Sequence, residues 1–529
     1  MSLLSEAIRT YDVAEANGYV GKYEPGKTPL APMTHTTAMC ELEAVIDASG
    51  NLLSLTDVSK TNEKIIIPVT EDSVSRSNNK EEYPHILCEQ LKYLGYNDQG
   101  KYEAYLNQLE KLATCKYATK IVKAVYTYVK KNKVMEDAKR ELPDLFIPDT
   151  NTLKSMREKW KIRWVLADNG TLTRCWEDQE TFENVNKWYF ESIKGAEDRY
   201  TDLCMITGEE EVVEEKHLKG VIPFSGNAKL ISFNDKKNFT YRGNFDNSKD
   251  CFTMSYTASQ KAHNVLKWLV ENNGITCGQE VIICWSPEGD KVIASPVNAI
   301  FGAEDLEDEY KPSEYREKLR KAVYGSKQSK EDFCKNSVII AGLKAVSTGR
   351  VSVVMFNAMN ESQYYDCLIK WDENCCWWRW SFKNQKYEIH TPGLIELAKL
   401  IEGTYRTSKN GGGKFDIDSS SLTLGNTVQK LVQCKLRNSP VPKPYMMELV
   451  RKFDNQKLYY NDKISNERLT LAVCAIIKKY YYDHYKKEIE MELVKSENMS
   501  YNYGRLLAVY EKMEKDTYDV AKDTKRIPY

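Results

Sequence analysis

Apolar and polar positions along the chain follow two different periods, and the switches between them mark out its elements. Residues 3–16 read as an amphipathic helix. Residues 39–46 and 52–55 alternate, and the Asp47-Ala48-Ser49-Gly50 turn between them predicts a β-hairpin. Ile65-Ile66-Ile67-Pro68-Val69 reads as another strand, residues 75–80 as a polar loop, and Pro84 as the start of a helix reaching about residue 94. From residue 105 to 140 the period is helical, with Ala118, Val122, Val125 and Val129 on one face and Lys116, Lys120 and Lys123 on another. Strands are expected at 161–167, 221–233, 280–285 and 351–356, and a helix at 255–271. Beyond residue 400 the Gly411-Gly412-Gly413, Ser419 to Ser421 and Pro440 to Pro444 stretches read as connectors between helical segments, with no return of a strand pattern. The fold class expected is α+β, a mixed α/β body over residues 1–400 followed by a helical domain over 401–529.

Composition narrows this picture. A chain of 529 residues corresponds to roughly two to four domains. Its 42% hydrophobic and 29% charged residues exclude disordered and collagen-like classes. Lys plus Arg is 75 and Asp plus Glu is 76, so the chain is not a uniformly basic DNA-coating protein. The charge is uneven, +6 over residues 401–529 and −7 over 1–400. The first residues lack a basic start followed by a long apolar run, and stretches such as 471–477 are far below the roughly 20 residues of a membrane span. A cytoplasmic chain with no membrane partner is therefore expected. The 14 cysteines include no Cys-x-x-Cys pair and read as reduced, packed thiols.

Enzyme signatures are weak. Gly411-Gly412-Gly413-Lys414 lacks the second glycine spacing and the hydroxyl of a phosphate loop, since Phe415 follows the lysine. The six histidines are scattered without metal-ligand spacing, and no metal or other cofactor is expected. Asp202, Glu214 and Lys216 form a loose Asp-x11-Glu-x-Lys series, the alternative reading being a metal-dependent nuclease and the plainer one a charged edge strand. Cys204 with His217 could pair a nucleophile and a base, but neither sits in an activating motif. The nucleic-acid features are more coherent. Residues 216–243 carry Lys216, Lys219, Lys229, Lys236, Lys237 and Arg242 against the single acid Asp235, interleaved with Phe224, Phe233, Phe239 and Tyr241. Cations neutralise phosphates and rings stack on unpaired bases; a hairpin with a solvated face has the same composition. Ser225-Gly226-Asn227-Ala228 is small enough for close approach of backbone to phosphate. The run from Lys478 to Lys487 reads as a helix surface with buried rings.

Cys204-Met205-Ile206-Thr207-Gly208-Glu209, His217-Leu218-Lys219-Gly220-Val221, Leu230-Ile231-Ser232-Phe233-Asn234 and Tyr256-Thr257-Ala258 follow one another in an order that resembles the large subunit of the type I-C CRISPR surveillance complex, Cascade. Arg76-Ser77-Asn78 and Gly504-Arg505-Leu506-Leu507-Ala508-Val509 extend the resemblance over nearly the whole chain. Where that family often carries paired cysteines before the Thr-Gly-Glu turn, Leu203 precedes a single Cys204 here. The family also continues into further helices, so part of the bundle is expected to lie beyond residue 529. The resemblance implies a non-catalytic subunit that senses the protospacer-adjacent motif, helps to open target DNA into an R-loop, and offers a platform to the helicase-nuclease. Sequence matching is left to the crRNA. The partners implied are target double-stranded DNA, crRNA, the other Cascade subunits and the helicase-nuclease of a prokaryotic antiviral defence system. Within that role, Arg76, Ser77, Asn78, Asn79 and Lys80 combine the groups that read groove edges and phosphates, the plainer reading being a helix cap. Lys219, Ser225, Asn227, Lys229, Lys236, Lys237 and Arg242 are expected on duplex or displaced strand. Lys120, Lys123, Lys130 and Lys131 are expected on crRNA or the target backbone, and the basic tail along the displaced strand.

Overall fold

A computed structural model describes residues 2–76, 82–194, 199–232, 244–245, 248–287, 300–301, 337–381, 384–408, 412–418, 421–455 and 462–517. Its contacts divide the chain into two compact units, residues 1–297 with 336–359, and residues 298–335 with 360–529. The division therefore falls near residue 360, ahead of the compositional change at 400.

The first unit begins with α1 (Leu3–Ala16), β1 (His35–Met39), β2 (Leu42–Asp47), β3 (Leu52–Asp57) and β4 (Lys64–Pro68). The helices α2 (Glu71–Ser75), α3 (Gln99–Ala113), α4 (Lys120–Lys130) and α5 (Val134–Glu141) follow, then β5 (Ile162–Asp168), β6 (Thr171–Arg174) and α6 (Gln179–Lys194). It is completed by β7 (Thr201–Leu203), β8 (Glu210–Val212), α7 (Ser248–Cys251), α8 (Tyr256–Asn273), β9 (Ile275–Cys277), β10 (Glu280–Trp285), β11 (Ser337–Ser347) and β12 (Arg350–Asn360). One sheet has the order β3-β2-β5-β6, with β2 and β5 parallel. β2 buries Leu42, Ala44 and Ile46 and turns the intervening residues outward, whereas the central β5 is buried on both faces from Ile162 to Leu166. α4 lies over this sheet with Val122, Val125 and Val129 inward and Lys123 outward. The second sheet, β12-β11-β10-β9, packs through the fully buried β10 against a core shared with α1 and α8.

The second unit contains α9 (Glu361–Asn374), the antiparallel ribbon β13 (Trp377–Ser381) and β14 (Lys386–His390), α10 (Leu394–Glu402), and the ribbon β15 (Thr404–Ser408) and β16 (Gly412–Asp416). The helices α11 (Leu422–Leu436), α12 (Lys443–Asp454), α13 (Lys463–Tyr485) and α14 (Met499–Asp516) complete it. The fold is thus α+β, with helices dominating the carboxy-terminal region. Among the described residues no helix is long and apolar enough to cross a membrane. The 13 described cysteines are free thiols, most of them buried.

Four expectations from periodicity are corrected. The segment after Pro84 is irregular, with a bend over residues 86–88, and has only a 3-10 turn at Leu91–Tyr93. Residues 84–89 are all buried, so no polar helix face exists there, and their backbone pairs with the β5 side through Leu91 N to Trp160 O (2.9 Å) and Ile162 N to Glu89 O (3.0 Å). The long helical stretch of 105–140 is interrupted twice, between α3, α4 and α5, with Asn132 left-handed at the second break. Residues 221–232 form a loop with a 3-10 turn, Pro223–Ser225, in place of the expected strand. Strands do return beyond residue 400, because Gly412 and Gly413 belong to β16. A Cβ on Gly413 would lie 2.4 Å from the Tyr405 ring, so this glycine admits an aromatic ring across the ribbon where a flexible connector was expected.

Candidate nucleic-acid interface

Two candidate stretches about 140 residues apart in sequence meet in the first unit. α2 is opened by a reciprocal cap between Thr70 and Ser73 and ends at Arg76, the first residue of the expected motif loop. Arg76 donates to both carboxylate oxygens of Glu89 (2.7 and 2.9 Å) and to the Tyr83 carbonyl (2.7 Å), and its guanidinium lies 4.9 Å from the Tyr93 ring centroid. Its side chain is 12% exposed and that of Glu89 is fully buried. Glu89 also accepts from the backbone of His85 and Gln90, both at 2.6 Å. The guanidinium is thereby committed to fastening both ends of the loop. Ser77, Asn78, Asn79 and Lys80, the remainder of that loop, lie outside the described residues, as do Lys236, Lys237 and Arg242.

Lys219 donates to the Arg76 carbonyl (2.7 Å), bringing the second stretch against the base of the first. Lys219 and Lys229 form a bridge that closes a loop, reinforced by Gly220 N to Ala228 O at 3.1 Å. Gly220 has φ +75°, and a Cβ there would approach the Gly226 carbonyl to 3.1 Å, which fits a residue without a side chain. Lys229 N donates to Gly349 O (3.1 Å) and Val351 N to Lys229 O (2.9 Å), so the stem is tied to β12. At the far end Phe224 is 50% exposed, followed by the partly exposed Ser225 and the exposed Gly226 and Asn227. An aromatic face beside small polar groups thus stands on a rigid stem. Phe224 appears in the sequence only as one ring among several; the 3-10 turn Pro223–Ser225 that carries it has no signal in the pattern.

Behind the stem lies a buried ionic group. Both carboxylate oxygens of Glu71 accept from Arg199 Nη1 (2.9 and 3.0 Å), and its N–H donates to the Tyr189 hydroxyl (3.1 Å). Burial, then the neighbouring Glu71 charge, pushes the Glu214 carboxyl up to about 8, so it is largely protonated at neutral pH. Burial lowers the Lys229 ammonium. His217 meets Ser259 (2.9 Å) and stacks on His263 with ring centroids 5.8 Å apart; burial lowers both imidazoles, His263 to about 4.

The residues of the nuclease alternative are separately engaged. Asp202 accepts from the Tyr200 hydroxyl and from Leu203 N (2.7 Å), Glu214 is buried and accepts from Lys216 N (2.7 Å), and the Lys216 ammonium pairs with Asp72. Among the described residues no group of three or more His, Cys, Asp or Glu could hold a metal ion. Cys204 is fully buried and His217 is engaged as above. The α4 lysines divide similarly. Lys120 pairs with Asp168 (2.8 Å), Lys130 donates to the Tyr126 hydroxyl (3.1 Å), and Lys131 donates to Gly50 O (2.5 Å) and Asn51 Oδ1 (2.8 Å), closing the β2–β3 turn. Lys123 is exposed on the outer face.

The family model described as CRISPR-associated protein (Cas_Csd1) matches residues 10–527, nearly the whole chain. No curated protein matches.

Proposed function

The chain belongs to the CRISPR-associated Cas_Csd1 family, and from that premise we propose that it is the non-catalytic DNA-recognition subunit of a crRNA-guided type I-C complex. In this reading it senses the protospacer-adjacent motif on duplex DNA, helps to open the helix there, and presents a surface to the helicase-nuclease, while the other Cascade subunits hold the crRNA guide. The observation that carries the reading is the contact of Lys219 with the Arg76 carbonyl. It sets the base of the motif loop beside the stem of the Phe224–Asn227 loop, so that one duplex can engage both. Ser225, Gly226 and Asn227 have the size and polarity to approach phosphates, and the exposed Phe224 ring offers a stacking face to an unpaired base. Arg76 acts in this scheme as the anchor of the motif loop.

The test uses the assembled complex on duplexes with and without the motif, with a base-analogue fluorophore reporting opening. Asn227→Ala should weaken binding to both duplexes, as a phosphate contact does, and Phe224→Ala should spare first binding and slow opening. Unchanged binding and opening in both variants would remove this loop from the interface. Mg²⁺-dependent DNA cleavage by the purified chain, lost in Glu214→Ala, would replace the whole reading by a nuclease.

A further inference from the structure

Among the described residues of the first unit, three Phe, Tyr or Trp rings stand well exposed: Tyr83 (47%), Phe224 (50%) and Phe245 (53%). A lone exposed ring is ordinary on a protein surface. Two of these three, however, belong to the two stretches that Lys219 joins. Phe224 stands on the loop closed by the Lys219–Lys229 bridge, and Tyr83 lies where the chain re-enters the core after the expected motif loop. Arg76 donates to the Tyr83 carbonyl and Lys219 donates to the Arg76 carbonyl, so two direct contacts connect Tyr83 to the stem that carries Phe224.

Tyr83 is mounted rigidly. Its carbonyl accepts from Arg76 (2.7 Å) and the Pro84 carbonyl from Gln108 (3.3 Å), while His85 N donates to Glu89 (2.6 Å) and Ile86 N to Pro68 O (3.2 Å). Four successive residues are thus pinned, and the chain is buried from Pro84 to Glu89. Pro84 also holds the backbone of the preceding Tyr83 away from helical conformations. An exposed ring on a fixed backbone has little freedom left to lose when a second flat group stacks on it. The ring is also uncommitted: among the described residues its hydroxyl makes no hydrogen bond and its face meets no other aromatic ring. The Lys216 ammonium, paired with Asp72, lies within electrostatic reach of its phenol, which sets Tyr83 beside the second stretch as well as the first.

We propose that Tyr83 is a second stacking residue, whose ring takes an unpaired base at the point where the duplex opens. The inference rests on the DNA-recognition reading and deepens it. Separating a base pair leaves two unpaired bases, and Phe224 alone offers a face to one of them. Every base has a flat face, so a ring stacks without regard to base identity. Tyr83 therefore holds the opened strand and adds nothing to the choice of motif.

The test uses the assembled complex on a motif-bearing duplex with a mismatched, already open step beside the motif. Tyr83→Leu should weaken its binding by about five-fold or more, whereas Tyr83→Phe and Tyr83→Trp, which keep a ring, should stay within about two-fold of the unmodified chain. The melting temperature should hold in all three variants, because the side chain is exposed. Iodouracil placed in the open step should photo-cross-link to Tyr83 in the unmodified chain, and that cross-link should vanish in Tyr83→Leu. Binding unchanged in Tyr83→Leu, an equal loss in Tyr83→Phe, a fall in melting temperature that accounts for the weaker binding, or no cross-link at Tyr83 overturns the proposal. Any of these beside the expected losses in Phe224→Ala and Asn227→Ala leaves the DNA-recognition reading standing. An unmodified complex that neither prefers the motif nor opens a paired duplex sinks that reading itself.

Discussion

Arg76 and Glu89 form a buried bidentate pair, and a charge left behind in such a place has neither water nor a partner. Glu89→Gln should therefore cost about 3 to 5 kcal/mol in urea unfolding, the usual penalty for breaking one side of a buried pair, and should loosen the loop that Arg76 fastens. Arg76 is legible in sequence as a loop cation, but its partner lies 13 positions away in a segment whose pattern suggests a helix, so its commitment to protein is invisible there. Glu214 offers a second check at this scale. Its folded-state value near 8 lies above the ordinary 4.5, so folding favours the protonated form. The contribution is complete below about pH 4.5 and is lost as pH rises through 8. Against Glu214→Gln, the native chain should lose melting temperature progressively between about pH 5 and 9. His35 and His263 act in the opposite sense. Burial lowers both to about 4, so stability should fall as pH drops from 6.5 towards 4.

Where an element pays its way by packing, periodicity finds it; where a side chain or a single backbone contact decides, it does not. α1, β2 and α8 are legible because each presents a regular apolar face to a large core, β5 and β10 as short apolar runs, and β3 through the Asp47–Gly50 turn that pairs it with β2. The segment after Pro84 is not, because its buried residues follow neither period and are held through Glu89 and backbone contacts to the β5 side. The β15–β16 ribbon is hidden for another reason, that Gly411-Gly412-Gly413 has the composition of a connector. Its glycine is required by Tyr405, whose hydroxyl donates to Asp462 (2.9 Å) while Gly413 N donates to the same carboxylate (2.8 Å). Gly413→Ala should therefore destabilise the second unit by about 1 to 3 kcal/mol through overpacking. Gly504→Ala, on the exposed face of α14 with nothing within 4 Å of the added Cβ, should be neutral or stabilise by up to about 1 kcal/mol. Thermal melting of the two variants side by side separates a packed glycine from a merely permissive one.

At the scale of the whole molecule the charge count overstates the positive surface, because many lysines are consumed internally. Lys452 donates to the carbonyls of Leu400, Ile401 and Gly403 (2.7, 2.6 and 2.7 Å), closing the end of α10. Lys479 pairs with Asp483 at 2.5 Å with both side chains nearly buried, and Lys435 donates to Ile300 O at 2.9 Å from inside the core. The +6 of residues 401–529 is thus partly scaffolding, and net charge alone does not locate a strand path. Salt dependence distinguishes the two uses, since each phosphate neutralised adds about 0.9 to the slope of log affinity against log salt on duplex DNA. Replacing Lys236 and Lys237 by Ala in the assembled complex should lower that slope by up to roughly two if both meet phosphates. Lys452→Met and Lys131→Ala should leave the slope unchanged and lower the melting temperature instead, because their ammonium groups already serve backbone carbonyls. A slope that falls with Lys452→Met while stability holds would mean that this lysine leaves its carbonyls for DNA, and an unaltered slope in the Lys236/Lys237 variant would remove that pair from the interface.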